Sequence, residues 1–264
     1  FILINEEADL AGLPESYVAS LQAAAKSKGQ SGWAVVNTRS AVQPFLENST
    51  RRDLREKVWR AFTKRGDNGN ANDTNATIAE VLKLRQQRAE ILGFPTHAHY
   101  RMADTMAKDP NKAMDLMMKV WPAATARVKE EVADMQAIAN ADKITIEPWD
   151  YRFYAEKVRK AKYDLDESEV KPYLQLDKLT QAMFWSAGQL YDLGFRENTG
   201  TVPVFDPKVK TFEVYNLKTN ENVGLIYLDN FARDGKRSGA WMTTYRSQQT
   251  LGGERNVLAS NNNN

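Results

Sequence analysis

The sequence predicts a mainly α-helical protein with a small antiparallel β-sheet near its C-terminal end. Apolar residues recur at helical spacing through most of the first 195 positions, and from Thr201 the hydrophobic period drops to two. No apolar run reaches the roughly 20 residues that a membrane-spanning helix needs. With 264 residues, the chain is long enough to bury the core of one large or two ordinary domains.

The elements follow in order. "LPESYVASLQAAAKSKG" has Pro14 at a first helical position, carries Tyr17, Val18, Leu21 and Ala25 on one stripe, and stops at Gly29. "WAVVNT" fits a short strand or an extended link. "STRRDLREKVWRAFTKRG" places Leu54, Val58, Trp59 and Phe62 at helical spacing, and "DNGNAND" is a loop. That loop is a poor calcium site: counted from Asp67, Gly69 and Ala71 fall on ligand positions. Counted from Asn68, Asp73 replaces the central Gly and Ala79 the closing Glu. It reads instead as a linker that supplies a helix N-cap at Thr74 or Asn75. "TNATIAEVLKLRQQRAEILGF" then puts Ile78, Val81, Leu82, Ala89 and Leu92 on one face, ending at Gly93. "THAHYRMADTMAKDP" and the long "NKAMDLMMKVWPAATARVKEEVADMQAIAN" complete a helical array, the latter bent near Pro122, with Met114, Met117 and Met118 as core filling.

"EPWDYRFYAEKVRKAKYDLDESEVKPY" is an aromatic, charged helix and a turn. Its basic stretch runs straight into acidic residues, which describes a solvated, salt-bridged face rather than a nucleic-acid patch. "LDKLTQAMFWSAGQLYDLGF" is a further amphipathic helix that ends at Gly194. "TVPVFD", "KTFEVYN", "NVGLIYLDNFA" and "SGAWMTTY" read as strands, with "LKTNEN" a turn between two of them. The terminal Asn run is the only low-complexity segment.

Charge and residue chemistry mostly exclude. The 36 basic and 34 acidic side chains nearly cancel, so no global field selects nucleic acid, an anionic membrane or acidic substrates. The absence of cysteine removes disulfides, thiolate zinc sites and a cysteine nucleophile. His97 and His99, the two histidines, lie about 200° apart around a helix axis and cannot share a metal. No phosphate-binding, dinucleotide-binding or serine-hydrolase motif is present. The residues provide no catalytic set and no metal set of their own.

One stretch is unusual. In "DGKRSGAWMTTYR", Ser238, Gly239 and Ala240 give up side-chain packing just where a strand begins. Two readings follow from the residues: a tight bend or bulge, or an edge that a second backbone approaches closely.

Resemblance separates them. "WDYRFYAEKVRKAKYDLDESEVKPYLQLDKL", "VPVFDPKVKTFEVYN" and "GLIYLDNFARDGKRSGAWMTTYR", preceded by "LRQQRAEILGFPTHAHYRMADTMAKDP", closely resemble the thimet oligopeptidase family of zinc metallopeptidases, in its bacterial peptidyl-dipeptidase and oligopeptidase A branch. The similarity covers nearly the whole chain and is strongest from Trp149 to Arg246. It implies a zincin-like, two-lobed helical body around a channel that admits short unstructured peptides. Residues 1–170 would form a lobe lining the channel, and residues 171–264 would begin the catalytic lobe. It further implies that the strand carrying Ser238, Gly239 and Ala240 pairs with substrate backbone, while Trp241 points to the opposite face and anchors the strand in the core. The family's H-E-x-x-H zinc helix is not in this sequence, and in relatives it follows shortly after the segment matching "ERNVLASNNNN". No catalytic or metal residue is therefore assigned here. Zinc belongs to the full-length enzyme, on residues after Asn264, and this portion alone is expected to be inactive. The expected partners are short peptides and the remainder of the polypeptide, with no nucleic acid and no membrane. The expected location is the cytoplasm, with export left open. The alternative is a non-catalytic helical peptide-binding or scaffold protein.

Overall fold

The computed structural model describes residues 1–164, 167–233, 235–237, 239–253 and 256–263, without the side chains of Glu167 and Ser168. The protein is mainly helical and divides into two compact units, Phe1–Asp164 and Leu165–Asn264. Among the described residues no helix is long and apolar enough to cross a membrane.

In the first unit, β1 (Ile2–Ile4) pairs antiparallel with β2 (Trp33–Val35), so "FILI" is a strand that three residues are too few to reveal by periodicity. Helix α1 (Glu15–Ser27) starts one residue after Pro14, buries Leu21 and Ala25, and is followed by Gly29 at φ +67°. The next helix, α2 (Arg39–Asn48), has no counterpart in the sequence pattern because Pro44 sits inside it. An interior proline costs about 3 kcal/mol, and burial of Val42, Phe45 and Leu46 at roughly 1.5–3 kcal/mol each offsets it. Helix α3 (Arg52–Thr63) buries Val58, and Leu54, Trp59 and Phe62 pack against the same core as Ile4, Leu21, Val35 and Phe45.

Three helices follow: α4 (Asn75–Ile91), α5 (His97–Met102) and α6 (Pro110–Ala139). Thr74 occupies the N-cap position of α4, but its hydroxyl donates to the Gly66 carbonyl. The helix start is served instead by Asp73, whose Oδ1 accepts from the Asn75 N–H at 2.9 Å. Among the described residues nothing covers the apolar face expected on α4: Ile78, Val81, Leu82 and Leu92 are exposed and Ala89 alone is buried. Helix α6 runs through Pro122 as one element, capped by Asp109, whose side chain accepts from Asn111. Met114, Met117 and Met118 are each more than half exposed, so they do not fill a core. The buried residues of α6 lie at its C-terminal end, where Met135 and Ala139 meet Tyr154 of α7 (Tyr151–Tyr163).

The second unit opens with the single turn α8 (Glu167–Val170) and the helix α9 (Leu176–Tyr191). Helix α9 ends three residues before Gly194, with Asp192 in the left-handed region at φ 54°. Gly194 belongs to β3 (Leu193–Glu197), where a side chain would strike the ring of Tyr215. "TVPVFD" is not a strand. Pro203 and Pro207 remove backbone donors there, and the segment is turn and bend. The remaining strands are β4 (Lys210–Asn216), β5 (Asn222–Asp229), β6 (Ala240–Arg246) and β7 (Val257–Asn263).

The sheet order is β3-β4-β5-β7-β6. β5 and β7 run parallel and the other pairs antiparallel, so the sheet is mixed rather than wholly antiparallel. The parallel pair arises because β6 skips the place beside β5, which β7 then fills. The Asn-rich end is thus an interior strand, with Ser260 and Asn262 buried in it.

Candidate functional site

Strand β6 pairs with β7 on one side, and it is an outer strand of the sheet order. Its register runs from Ala240 opposite Asn263 to Arg246 opposite Leu258, with an irregularity between Thr244 and Arg246. A strand with one partner leaves alternate N–H and C=O groups free to receive another extended chain.

Gly239 stands immediately before β6 at φ +119°, a conformation that side chains rarely adopt, and the space a Cβ would occupy has nothing within 4 Å. Gly239 and Ala240 are both exposed. Ser238 lies outside the described residues. The expectation for Trp241 is overturned: its side chain is on the surface, 37% exposed, rather than anchored in a core. Of the seven residues of β6 only Thr243 is half-buried, so side-chain burial does not hold the strand. Polar groups on β7 do so instead. The Asn262 Nδ2 donates to the Trp241 carbonyl at 3.3 Å, and the hydroxyls of Tyr245 and Ser260 lie 3.1 Å apart.

The loop entering β6 is held by an ionic cluster that the sequence reading missed. Asp229, buried at the end of β5, receives Arg233 Nη1 at 2.7 and 2.9 Å on its two oxygens. Lys236 Nζ lies 3.0 Å from Asp229 Oδ1 and donates to the carbonyls of Asp229, Phe231 and Asn263 at 2.9, 2.9 and 2.6 Å. Burial pushes the Asp229 carboxyl up, but the hydrogen bonds from Arg233 and Lys236 outweigh it and hold the group below the usual carboxylate range. The sequence carries no signal for this cluster, because most of its acceptors are backbone carbonyls.

Residues with metal or catalytic potential are not assembled here. His97 and His99 sit on α5 in the first unit, and His99 Nδ1 lies 2.8 Å from the Thr96 hydroxyl. Among the described residues no three His, Cys, Asp or Glu side chains are grouped so as to hold a metal ion. An open cleft between α6 and α7 is floored by Met135, Ala155 and Val158. Its rim charges neutralise one another, Lys162 with Asp134 and Arg127 with Glu130 and Glu131. What the second unit offers, among the described residues, is an outer strand paired on one side.

Residues 45–262 match the model of peptidase family M3. The chain belongs to that family, in agreement with the resemblance read from its sequence. It is 38% identical to the dipeptidyl carboxypeptidase of Escherichia coli (strain K12) over 254 residues, which are 95% of this chain and 37% of that protein. It is 33% identical to oligopeptidase A of Salmonella typhimurium, covering 91% of this chain and 36% of the relative. With organellar oligopeptidase A of Arabidopsis thaliana the identity is 31%, covering 91% and 32%. The chain spans about a third of the length of these relatives.

Proposed function

We propose that this chain is the substrate-binding portion of a zinc-dependent oligopeptidase, a peptidyl-dipeptidase that hydrolyses short unstructured peptides. Residues 1–170 belong to the lobe lining the substrate channel, and residues 171–264 begin the catalytic lobe. The observation that carries the reading is β6: an outer strand, exposed at every residue but Thr243 and preceded by Gly239 with open space around it. A peptide that adds to this strand is held through its main chain, whatever its side chains, as an enzyme acting on many short peptides requires. The names of the relatives, a dipeptidyl carboxypeptidase and oligopeptidases, support the substrate class.

Among the described residues no group of side chains could hold a zinc ion, and the ligands are left to parts of the enzyme outside this chain. The residues of this chain bind and orient; they do not themselves cleave.

The test uses the complete protein and a short peptide. Chelation should abolish hydrolysis and added zinc should restore it, and replacing single backbone amides of the peptide by N-methyl amides should raise KM at alternate positions. Hydrolysis indifferent to chelation overturns the zinc assignment. Hydrolysis indifferent to N-methylation at every position overturns the docking on β6.

A further inference from the structure

We propose that Lys236 is a positioning residue for peptide binding: its buried ammonium clamps the loop between β5 and β6 to the end of β7 and thereby fixes the head of the docking edge. The proposal rests on the reading of β6 as that edge. Lysine is almost never buried unless paired, yet the Lys236 side chain is 2% exposed. Its ammonium, a compact charge with three donors, faces one carboxylate oxygen and three main-chain carbonyls. Those carbonyls come from the end of β5, the loop after it and the end of β7.

Placement gives the clamp its consequence. Lys236 lies between Gly235 at φ +82° and Gly239 at φ +119°, two residues whose freedom makes the segment costly to order. Asn263, whose carbonyl Lys236 holds at 2.6 Å, is the register partner of Ala240. The lysine therefore secures the connection four residues before the edge to the residue that the edge first pairs with. A second tie, from Asn263 Nδ2 to Asn230 Oδ1 at 2.8 Å, joins the same loop to the same strand end. The Asp229 carboxylate keeps Arg233 when Lys236 is lost, and the β5–β7 and β6–β7 ladders do not depend on the ammonium. What is lost is one arrangement of the loop, and with it the presentation of Gly239 and Ala240 to a peptide. Lys236 is not placed to touch the reacting bond, so the loss falls on binding.

The experiment compares Lys236→Met, Lys236→Ala and Gly239→Val in the complete protein, with steady-state kinetics on a short peptide and thermal unfolding. Lys236→Met should raise KM on the order of tenfold, the size of freeing about one backbone residue, and leave kcat within about twofold. Ethylammonium should recover KM saturably in Lys236→Ala, and ethanol should not. The proposal is overturned by an unchanged KM. It is overturned equally by a joint loss of kcat and melting temperature that ethylammonium does not repair. Should Lys236→Met not fold, the amine response of Lys236→Ala decides alone. Gly239→Val separates the two readings: if it raises KM and the lysine variants do not, docking on β6 stands and the clamp falls. If neither raises KM, docking itself falls, and if only the lysine variants do, the clamp does not act through the edge and is rejected.

Discussion

Arg55 Nη2 lies 2.7 Å from Asp150 Oδ1, both side chains buried, across 95 residues of sequence. The same carboxylate receives Arg52 Nη2 at 2.8 Å and the Glu147 backbone N–H at 3.2 Å, and Arg55 also donates to the Ser49 carbonyl at 2.8 Å. This cluster ties α3 to the start of α7. Removing one partner of a buried pair leaves the other charge without compensation, which costs about 3–5 kcal/mol, whereas a half-exposed partner is worth about 1 kcal/mol or less. Asp150→Ala should therefore lower unfolding free energy by about 3–5 kcal/mol, and Arg52→Ala, whose side chain is 41% exposed, by about 1 kcal/mol. Denaturant unfolding of both variants checks the order, and equal losses would refute it.

Acid should act through the same residue. Burial raises the Asp150 carboxyl, but the hydrogen bonds from Arg52 and Arg55 and from the Glu147 N–H prevail and hold it below its ordinary value of 3.8. A carboxyl lowered by folding adds stability that is complete above its unfolded value and is lost as pH falls through the folded one. The stability gap between wild type and Asp150→Asn should thus be constant near neutrality and narrow only below pH 3.8. Unfolding curves taken from pH 7 down to about 2 give the answer; a gap that closes at pH 5 would contradict the assigned cause.

Adjacent residues of a strand direct their N–H groups to opposite sides. Of Met242 and Thr243 in β6, one therefore donates toward β7 and the other toward the open edge. Proline is tolerated where the lost donor faces outward. In the complete protein one of Met242→Pro and Thr243→Pro should keep its melting temperature within a few degrees and raise KM, and the other should lose stability. If both variants fold normally with wild-type KM, the edge takes no peptide backbone.

Legibility in the sequence followed locality. Helices α1 and α3 were readable because one stripe of each, Leu21 with Ala25 and Leu54 with Val58, meets a core built from nearby sequence. The apolar stripes of α4 and α6 are legible as helical, but the core filling expected of Met114, Met117 and Met118 is not found among the described residues of this chain, since periodicity shows a face and not what covers it. Strand β7 was illegible: asparagine is a poor strand former, and "SNNN" is strand only because β5 and β6 flank it. At the site, Gly239 and Ala240 announced themselves by missing side chains. The Lys236 clamp did not, because main-chain carbonyls leave no mark on a sequence.

The position of β6 depends on β7, and that of β7 on its parallel partner β5, so the fit between β5 and β7 should matter to binding. At Gly224, paired with Val257, the two strands leave no room for a side chain. A Cβ there would fall on the Val257 carbonyl oxygen and 3.1 Å from its carbonyl carbon, and backbone cannot yield without parting the strands. Gly194, equally buried, presents a different obstacle, the ring of Tyr215, which can turn aside. Turning it sacrifices the stacking of Arg196 over that ring at 4.7 Å, worth about 0.5–1 kcal/mol. Overpacking against rigid surroundings costs about 1–3 kcal/mol. Gly224→Ala should accordingly reach the upper part of that range and, in the complete protein, raise KM as β6 loosens with β7. Gly194→Ala should cost about 1 kcal/mol and leave KM unchanged. Unfolding and steady-state kinetics on the two variants test the chain of support, and a higher KM in Gly194→Ala than in Gly224→Ala would break it.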